Sequence, residues 1–279
     1  MLDLFIVIIL IILVLGLCFG SFINALVWRI HLQSKTSSKN KQEELSIVRG
    51  RSMCMYCNHQ LSFWDLIPVA SWLALKGRCR YCHRKYPDTP VSELLTPVLF
   101  IFSYVFWPIS FDAKGTTLFI LWLIFLTGFI ALALYDLRWY LLPNRIIFPL
   151  YAVVAIQSIT SLVFFDLGLD GLFLAFASIL VGGGIFYVLF QISHGKWIGG
   201  GDVKLGFLIG ALLGDPLKCV LFIFLASLIG TLVSLPMLVT GKMKRTSHLP
   251  FGPFLLISAF IVVLFGSSLI QAYRSFIGL

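Results

Sequence analysis

The sequence predicts an all-α polytopic membrane protein with about eight transmembrane helices and one small polar insert. Composition, the apolar runs and the placement of basic residues carry this reading. The chain of 279 residues is 59% hydrophobic and only 12% charged, more apolar surface than a soluble protein of this length has use for. Eight runs approach the roughly 20 residues that cross about 30 Å of hydrocarbon. They lie at about 4–28, 93–111, 117–136, 146–165, 171–192, 203–214, 218–239 and 251–273. The first run is too long for a signal-peptide core, and "GSFINALVWR" offers no evident small-residue cleavage site, so it reads as a retained helix. The sixth is short.

Basic residues set the orientation. Of 21 Lys and Arg, 11 lie between Arg29 and Lys85. With Arg138, Arg145, Lys196, Lys204, Lys242, Lys244 and Arg245 they place 18 on one face. Only Lys114, Lys218 and Arg274 fall on the other. The positive-inside rule makes the richer face cytoplasmic and both termini external. The net charge of +9 needs no nucleic acid, because topology and anionic inner-leaflet lipid account for it.

One polar segment interrupts the apolar pattern. The expected organisation is therefore a first helix over 1–30, a cytoplasmic insert over 31–92, and a membrane domain of about seven helices over 93–279. The insert opens with "QSKTSSKNKQEELS", too poor in apolar residues to fold alone. Then come "CMYC" and "CRYC", which place Cys54, Cys57, Cys79 and Cys82 in two CxxC pairs separated by 21 residues. Four thiolates so spaced can close a tetrahedron around a structural zinc ion or a related thiolate-bound metal. Disulfides and free thiols are the alternatives, and disulfides are disfavoured on a reducing face. His59 and His83 follow the knuckles and read as solvated loop residues. Cys18 and Cys219, isolated in apolar runs, read as packing residues.

Most of the 12 acidic residues sit in loops. Asp3, Asp112, Asp166, Asp170 and Asp215 fall on the outer side and read as solvated. Glu43, Glu44, Asp65 and Asp88 belong to the insert. Glu93, Asp136 and Asp202 lie at cytoplasmic membrane boundaries. Asp136 ends the third run and Asp202 opens the sixth, so an even number of crossings separates them and both face the same side. A carboxylate at that depth needs a partner, water or a function. One salt bridge each, to Arg138 and Lys204, is the plain alternative. If the two aspartates meet, they cannot both ionise easily; one keeps a proton and the other is a base. Such a pair can activate water and protonate a carbonyl oxygen or leaving amine, which is peptide hydrolysis without a metal. Gly199, Gly200 and Gly201 before Asp202 allow positive φ and close approach of a substrate strand. Gly206, Gly210 and Gly214 form a small-residue stripe that could bring a neighbouring helix close.

The chain resembles the type IV prepilin peptidases, bacterial membrane aspartyl proteases of the GxGD kind, a local motif shared with presenilin and signal peptide peptidase. "GGGDVKLGFLIGALLG" at 199–214 and "YDLRWYLLPN" at 135–144 are similar to the two aspartate regions. "GSFINALVWR" at 20–29, "WDLIPVASWLALKGRCRYC" at 64–82 and "LPFGPFL" at 249–255 are similar to other family segments in the same order. Met55 and His31 stand where many members carry Pro, and Asn144 stands where an acidic residue is common. The resemblance implies that Asp136 and Asp202 are catalytic, that Gly199, Gly200, Gly201 and Lys204 belong to the active-site loop, and that the substrate is the helix of a prepilin or pseudopilin. Its short basic leader would be removed at the cytoplasmic face of the bacterial inner membrane, commonly between Gly and Phe, in type IV pilus or type II secretion assembly. It also implies N-methylation of the new amine with S-adenosylmethionine, an activity associated with the N-terminal part and its cysteines. No glycine fingerprint in the sequence marks a donor pocket.

Two other classes are open to this sequence. A proton-coupled transporter would place its carboxylates nearer the midplane and often show internal repeats. An assembly scaffold would use the insert for docking and tolerate Asp→Asn at either site.

Overall fold

The structure is a computed structural model that describes residues 2–36, 45–47, 50–86, 90–241 and 249–278. Glu43, Glu44 and Asp88, with the basic residues Lys39, Lys41, Arg49, Lys242, Lys244 and Arg245, lie outside the described residues. The chain divides into two compact units, Met1–Val105 and Phe106–Leu279.

The first unit contains α1 (Leu2–Lys35), a five-residue α2 (Ala70–Ala74) and α3 (Val91–Val105). Helix α1 has 34 residues and runs past the expected end near residue 28. At 1.5 Å per residue it reaches about 51 Å, well beyond the hydrocarbon thickness. His31, where proline would interrupt the helix, leaves it free to continue. Helix α3 runs antiparallel to α1. Gly20 faces Glu93, Gly16 faces Pro97, and Phe5 meets Tyr104 with ring centroids 5.9 Å apart. A Cβ on Gly20 would lie 2.6 Å from the Glu93 Cα, so this crossing requires glycine. The second expected run ends early, at Val105 rather than 111. Pro108 follows within three residues and bars a continuous helix.

The second unit is built from α4 (Ala113–Trp139), α5 (Asn144–Phe164), α6 (Gly168–Ser193), α7 (Gly200–Leu213), α8 (Pro216–Val239) and α9 (Gly252–Phe276). Among the described residues six helices are long and apolar enough to cross a membrane: α1, α4, α5, α6, α8 and α9. The apolar helix α3, with 15 residues, and α7, with 14, are shorter. Together the eight occupy the places of the eight expected runs. Their exposed faces carry large apolar side chains such as Leu10, Phe173, Leu232 and Val239, the pattern of a multi-pass membrane protein.

Helix α4 is the most enclosed of the six, with 61% of its apolar window buried. Trp122, Phe125 and Phe129 cluster on its inner face, and Trp122 meets Phe260 of α9. Asp112 caps its start by accepting from the Gly115 N–H at 2.8 Å, and Asp215 caps α8 through the Leu217 N–H at 2.8 Å. These two aspartates therefore hold helix termini, where an acceptor and a negative charge are both favourable. Of the two lone cysteines, Cys219 is buried, with its sulfur 3.0 Å from the Ser178 Oγ. Cys18 is exposed and does not pack in the core, because it faces outward from α1.

Candidate functional site

The two boundary aspartates come together in the second unit. Asp136 lies in the last turn of α4, is 5% exposed, and precedes the left-handed C-cap Tyr140. Asp202 is the third residue of α7, whose N-cap is Gly199. Its carboxylate reaches back to the Gly199 backbone, one half of a capping box, since glycine has no side chain to return the bond. The charges of Asp202 and Asp136 act on each other across the site. From α9, the Gly252 backbone engages the Asp136 carboxylate. A Cβ at Gly252 would lie 2.5 Å from the Asp136 Oδ2, so any side chain there displaces the Asp136 carboxylate. Leu142 fills the space between Gly201 and Gly252, its side chain within 3.0 Å of a Cβ built on the first and 3.6 Å of one on the second.

The glycine loop differs from the expectation of positive φ. Gly199 has φ −73° and ψ 147°, and Gly200 and Gly201 begin the helix; none of the three is in the left-handed region. A helix start needs no such conformation. A Cβ on Gly201 would stand 3.0 Å from the Leu142 Cβ and one on Gly199 3.3 Å from the Asp202 Oδ2, so both positions are tight. Lys204 points away from Asp202: its ammonium donates to the Asn144 Oδ1 at 2.9 Å, and its carbonyl accepts the Tyr151 hydroxyl at 2.7 Å. These bonds tie the start of α7 to α5. Arg138 lies over the Trp139 ring, 6.0 Å from its centre.

The small-residue stripe finds its partner in α6. Gly206 and Gly210 pack against α6 at Gly182, whose hypothetical Cβ would stand 2.7 Å from the Gly210 Cα, and the Ser178 hydroxyl donates to the Gly210 carbonyl at 2.7 Å. Gly214 is the C-cap of α7, with φ 62°. Asp202 is thus positioned toward α4 by the ties from α5 and by Leu142, with the stripe anchoring the opposite side of α7. Gly252, Leu142, Asn144 and Tyr151 were not singled out for these contacts by sequence reasoning. "LPFGPFL" contains the one usable signal, a glycine at the first position of a helix.

The four knuckle cysteines converge in the first unit. All are free thiols, and their sulfurs lie within 4.8 Å of one another. Zinc–sulfur bonds of about 2.3 Å in a tetrahedron imply sulfur–sulfur separations of about 3.8 Å, and Cys54 and Cys82 stand 3.8 Å apart. The cluster can hold a metal ion.

The two knuckles repeat one geometry at an offset of 25 residues. The Cys54 N–H donates to His59 and the Cys79 N–H to Arg84, each at 2.9 Å. The Tyr56 and Tyr81 N–H groups point at the Cys54 and Cys79 sulfurs. Asn58 and His83 both turn left-handed, at φ 54° and 56°. Even the cross-contacts match: Tyr56 lies under Arg84, and Tyr81 stacks on His59 with centroids 3.6 Å apart. His59 and His83 are exposed, so they stand beside the sulfur cluster as loop residues. Burial pushes the Cys79 thiol up, but the Cys82 and Tyr81 backbone N–H groups outweigh it and bring the thiol down to about 6, which suits a thiolate ligand.

Comparison with known proteins accords with this division. A model of the bacterial peptidase A24 N-terminal domain matches residues 14–107, and one of the type IV leader peptidase family matches residues 123–235. Similar proteins named prepilin leader peptidase/N-methyltransferase include one from Bacillus subtilis (strain 168), 33% identical over 93% of this chain and 95% of its own. Another from Pseudomonas aeruginosa is 31% identical over 95% and 92%, and one from Stutzerimonas stutzeri is 29% identical over 95% and 93%. No solved structure matches the chain at a significant level. With both domain models in order and identities of this size over nearly the whole length, the chain belongs to the type IV leader peptidase family.

Proposed function

We propose that this chain is a membrane aspartyl endopeptidase that cuts the short basic leader from a type IV prepilin or pseudopilin and then N-methylates the new terminus. The observation that carries the peptidase reading is the meeting of Asp136 and Asp202 at the ends of α4 and α7. An extended substrate strand enters beside Gly199, Gly200 and Gly201. One aspartate removes a proton from water as it attacks the scissile carbonyl, and its partner donates to the carbonyl oxygen. As the tetrahedral intermediate breaks, the aspartate that took the water proton passes it to the leaving amine, and its partner takes a proton back from the diol hydroxyl. Two close carboxylates sharing one proton are equipped for both roles, and their titration belongs to the pair. Gly252 holds the Asp136 carboxylate from behind, while Lys204, through Asn144 and Tyr151, keeps the α7 terminus in register.

The metal of the cysteine cluster is structural zinc, held by Cys54, Cys57, Cys79 and Cys82. Four sulfurs complete its coordination and leave no open position for substrate. S-adenosylmethionine is the methyl donor. The partners are the substrate helix and membrane lipid. The protein resides in the bacterial inner membrane, and the active site and the insert face the cytoplasm.

Co-expression with a candidate prepilin, followed by mass measurement of its N-terminal peptide, tests both activities. Loss of the leader and a gain of one methyl group are expected; an intact leader would defeat the peptidase reading. Topology has its own test. Membrane-impermeant thiol reagents applied to intact cells should fail to label cysteines introduced within 50–86. Labelling there from outside would reverse the orientation.

A further inference from the structure

The segment between the two cysteine knuckles presents large apolar side chains outward. Phe63 and Trp64, in the 3-10 turn Phe63–Leu66, are 76% and 68% exposed, and Leu73 of α2 is 62% exposed. The two aromatic rings stand edge to face with centroids 5.9 Å apart. The same segment turns Trp72 inward, where its ring comes 3.1 Å from a Cβ built on Gly77. The insert thus has an interior, and Phe63 and Trp64 stand outside it. Single exposed apolar side chains are ordinary, but a paired set of large rings left this open marks a contact surface.

The membrane boundary runs beside this segment. Glu93, in the first turn of α3, packs on α1 at Gly20, inside the apolar run of α1 that ends near residue 28. From Gly20 to that end the helix axis rises about 12 Å, at 1.5 Å per residue. Glu93 therefore sits at or below the level where α1 leaves the hydrocarbon. Its Oε2 accepts the Val69 N–H at 2.6 Å. The bond helps hold Val69 at φ 60° and ψ −49°, which a β-branched residue keeps only where the surroundings enforce it. Val69 joins the 3-10 turn to α2, so Phe63, Trp64 and Leu73 are tied within a few residues of the headgroup level. Lys76 and Arg78, just after α2, are exposed, while Arg80 is paired with Asp65 at 2.7 Å. Aromatic rings beside basic side chains at this height have the composition of an interfacial anchor.

We propose that the insert docks on the lipid bilayer through Phe63, Trp64 and Leu73, with the two aromatic rings seated among the headgroups. The inference needs only that α1 spans a bilayer and is independent of either catalytic activity. Indole and phenyl rings favour this depth, and anionic lipid attracts the neighbouring Lys76 and Arg78. Lipid is the occupant that the tether selects, because the bond from Glu93 fixes the segment at the membrane boundary before any other partner arrives. Docking gives the first unit a point of attachment besides its apolar helices and fixes how the four-cysteine cluster stands relative to the membrane plane.

The test uses the purified full-length, metal-loaded protein reconstituted in vesicles of phosphatidylcholine and phosphatidylglycerol. The fluorescence that wild type has and Trp64→Phe lacks reports on Trp64. Brominated acyl chains should quench most of that difference, and aqueous iodide should quench little of it. In the same vesicles, Phe63→benzoylphenylalanine should give adducts of lipid mass on irradiation. Metal content equal to that of wild type verifies that each variant keeps the folded insert. Quenching by iodide and not by brominated lipid would put the rings in water and overturn the proposal. Protection from both quenchers would mean that protein covers the rings, and would overturn it too. Adducts to a second copy of this chain, or to another segment of the same chain, in place of lipid would have the same consequence.

Discussion

Asp136→Asn, Asp202→Asn and the double variant will each leave a prepilin substrate uncut, and the three will be about equally inactive. The expected loss is at least about a thousandfold in cleavage rate, within the 10²–10⁴ range of positioned acid–base groups. Equality follows because the two carboxylates act on one water and one carbonyl; removing either disables the unit, and the second change has nothing left to remove. Asparagine preserves volume, so Asp136→Asn leaves the packing of α4 against Gly252 largely intact, and Asp202→Asn keeps an acceptor for the start of α7. Cleavage of purified prepilin in detergent or lipid, read by mass, measures the effect. Substantial cleavage by either single variant would remove the aspartyl mechanism. The same experiment separates this chain from a transporter or scaffold, neither of which cuts the substrate. A pre-cleaved substrate offered to Asp202→Asn should still be methylated, because that reaction starts from the free amine.

Replacing Cys79 and Cys82 together by Ser will abolish metal binding and unfold the insert while leaving the helices of the second unit folded. Four thiolates at tetrahedral spacing hold zinc in a way that two cannot, and binding of structural zinc supplies on the order of 10–16 kcal/mol in small zinc domains. The described residues of the insert form little regular structure: two isolated bridges, Met53 with Gln60 and Arg78 with Lys85, one short 3-10 turn and a short α2. Elemental analysis should find one zinc per wild-type chain and none in the variant. Full occupancy in the variant would exclude the four-sulfur site. Acidification should also release the metal, because protons compete for thiolates.

Much of this protein was determined by local sequence. Runs of about 20 apolar residues can only be helices in a bilayer, since every backbone polar group must be satisfied within its own segment. The eight runs were therefore legible, and so were the two CxxC pairs, because metal-ligand spacing is a local property. Helix ends were less legible. Helix α1 extends to Lys35 through a polar face that has no membrane signature, and α3 stops short at Val105 because a downstream proline outweighs an apolar run.

Tertiary structure decided what faces what. Sequence placed Asp136 and Asp202 on one side of the membrane, but their meeting depends on α5 holding α7 through Tyr151 and Asn144, on Leu142 between two glycines, and on Gly252 of a helix more than 100 residues away. The stripe Gly206–Gly210 looked equally able to pack on any helix, and its partner proved to be Gly182 of α6. Small-residue spacing states how closely a neighbour can approach and carries nothing about which neighbour arrives. The twofold likeness of the knuckles arises in the same way, from side chains that only folding places within a few ångströms of each other.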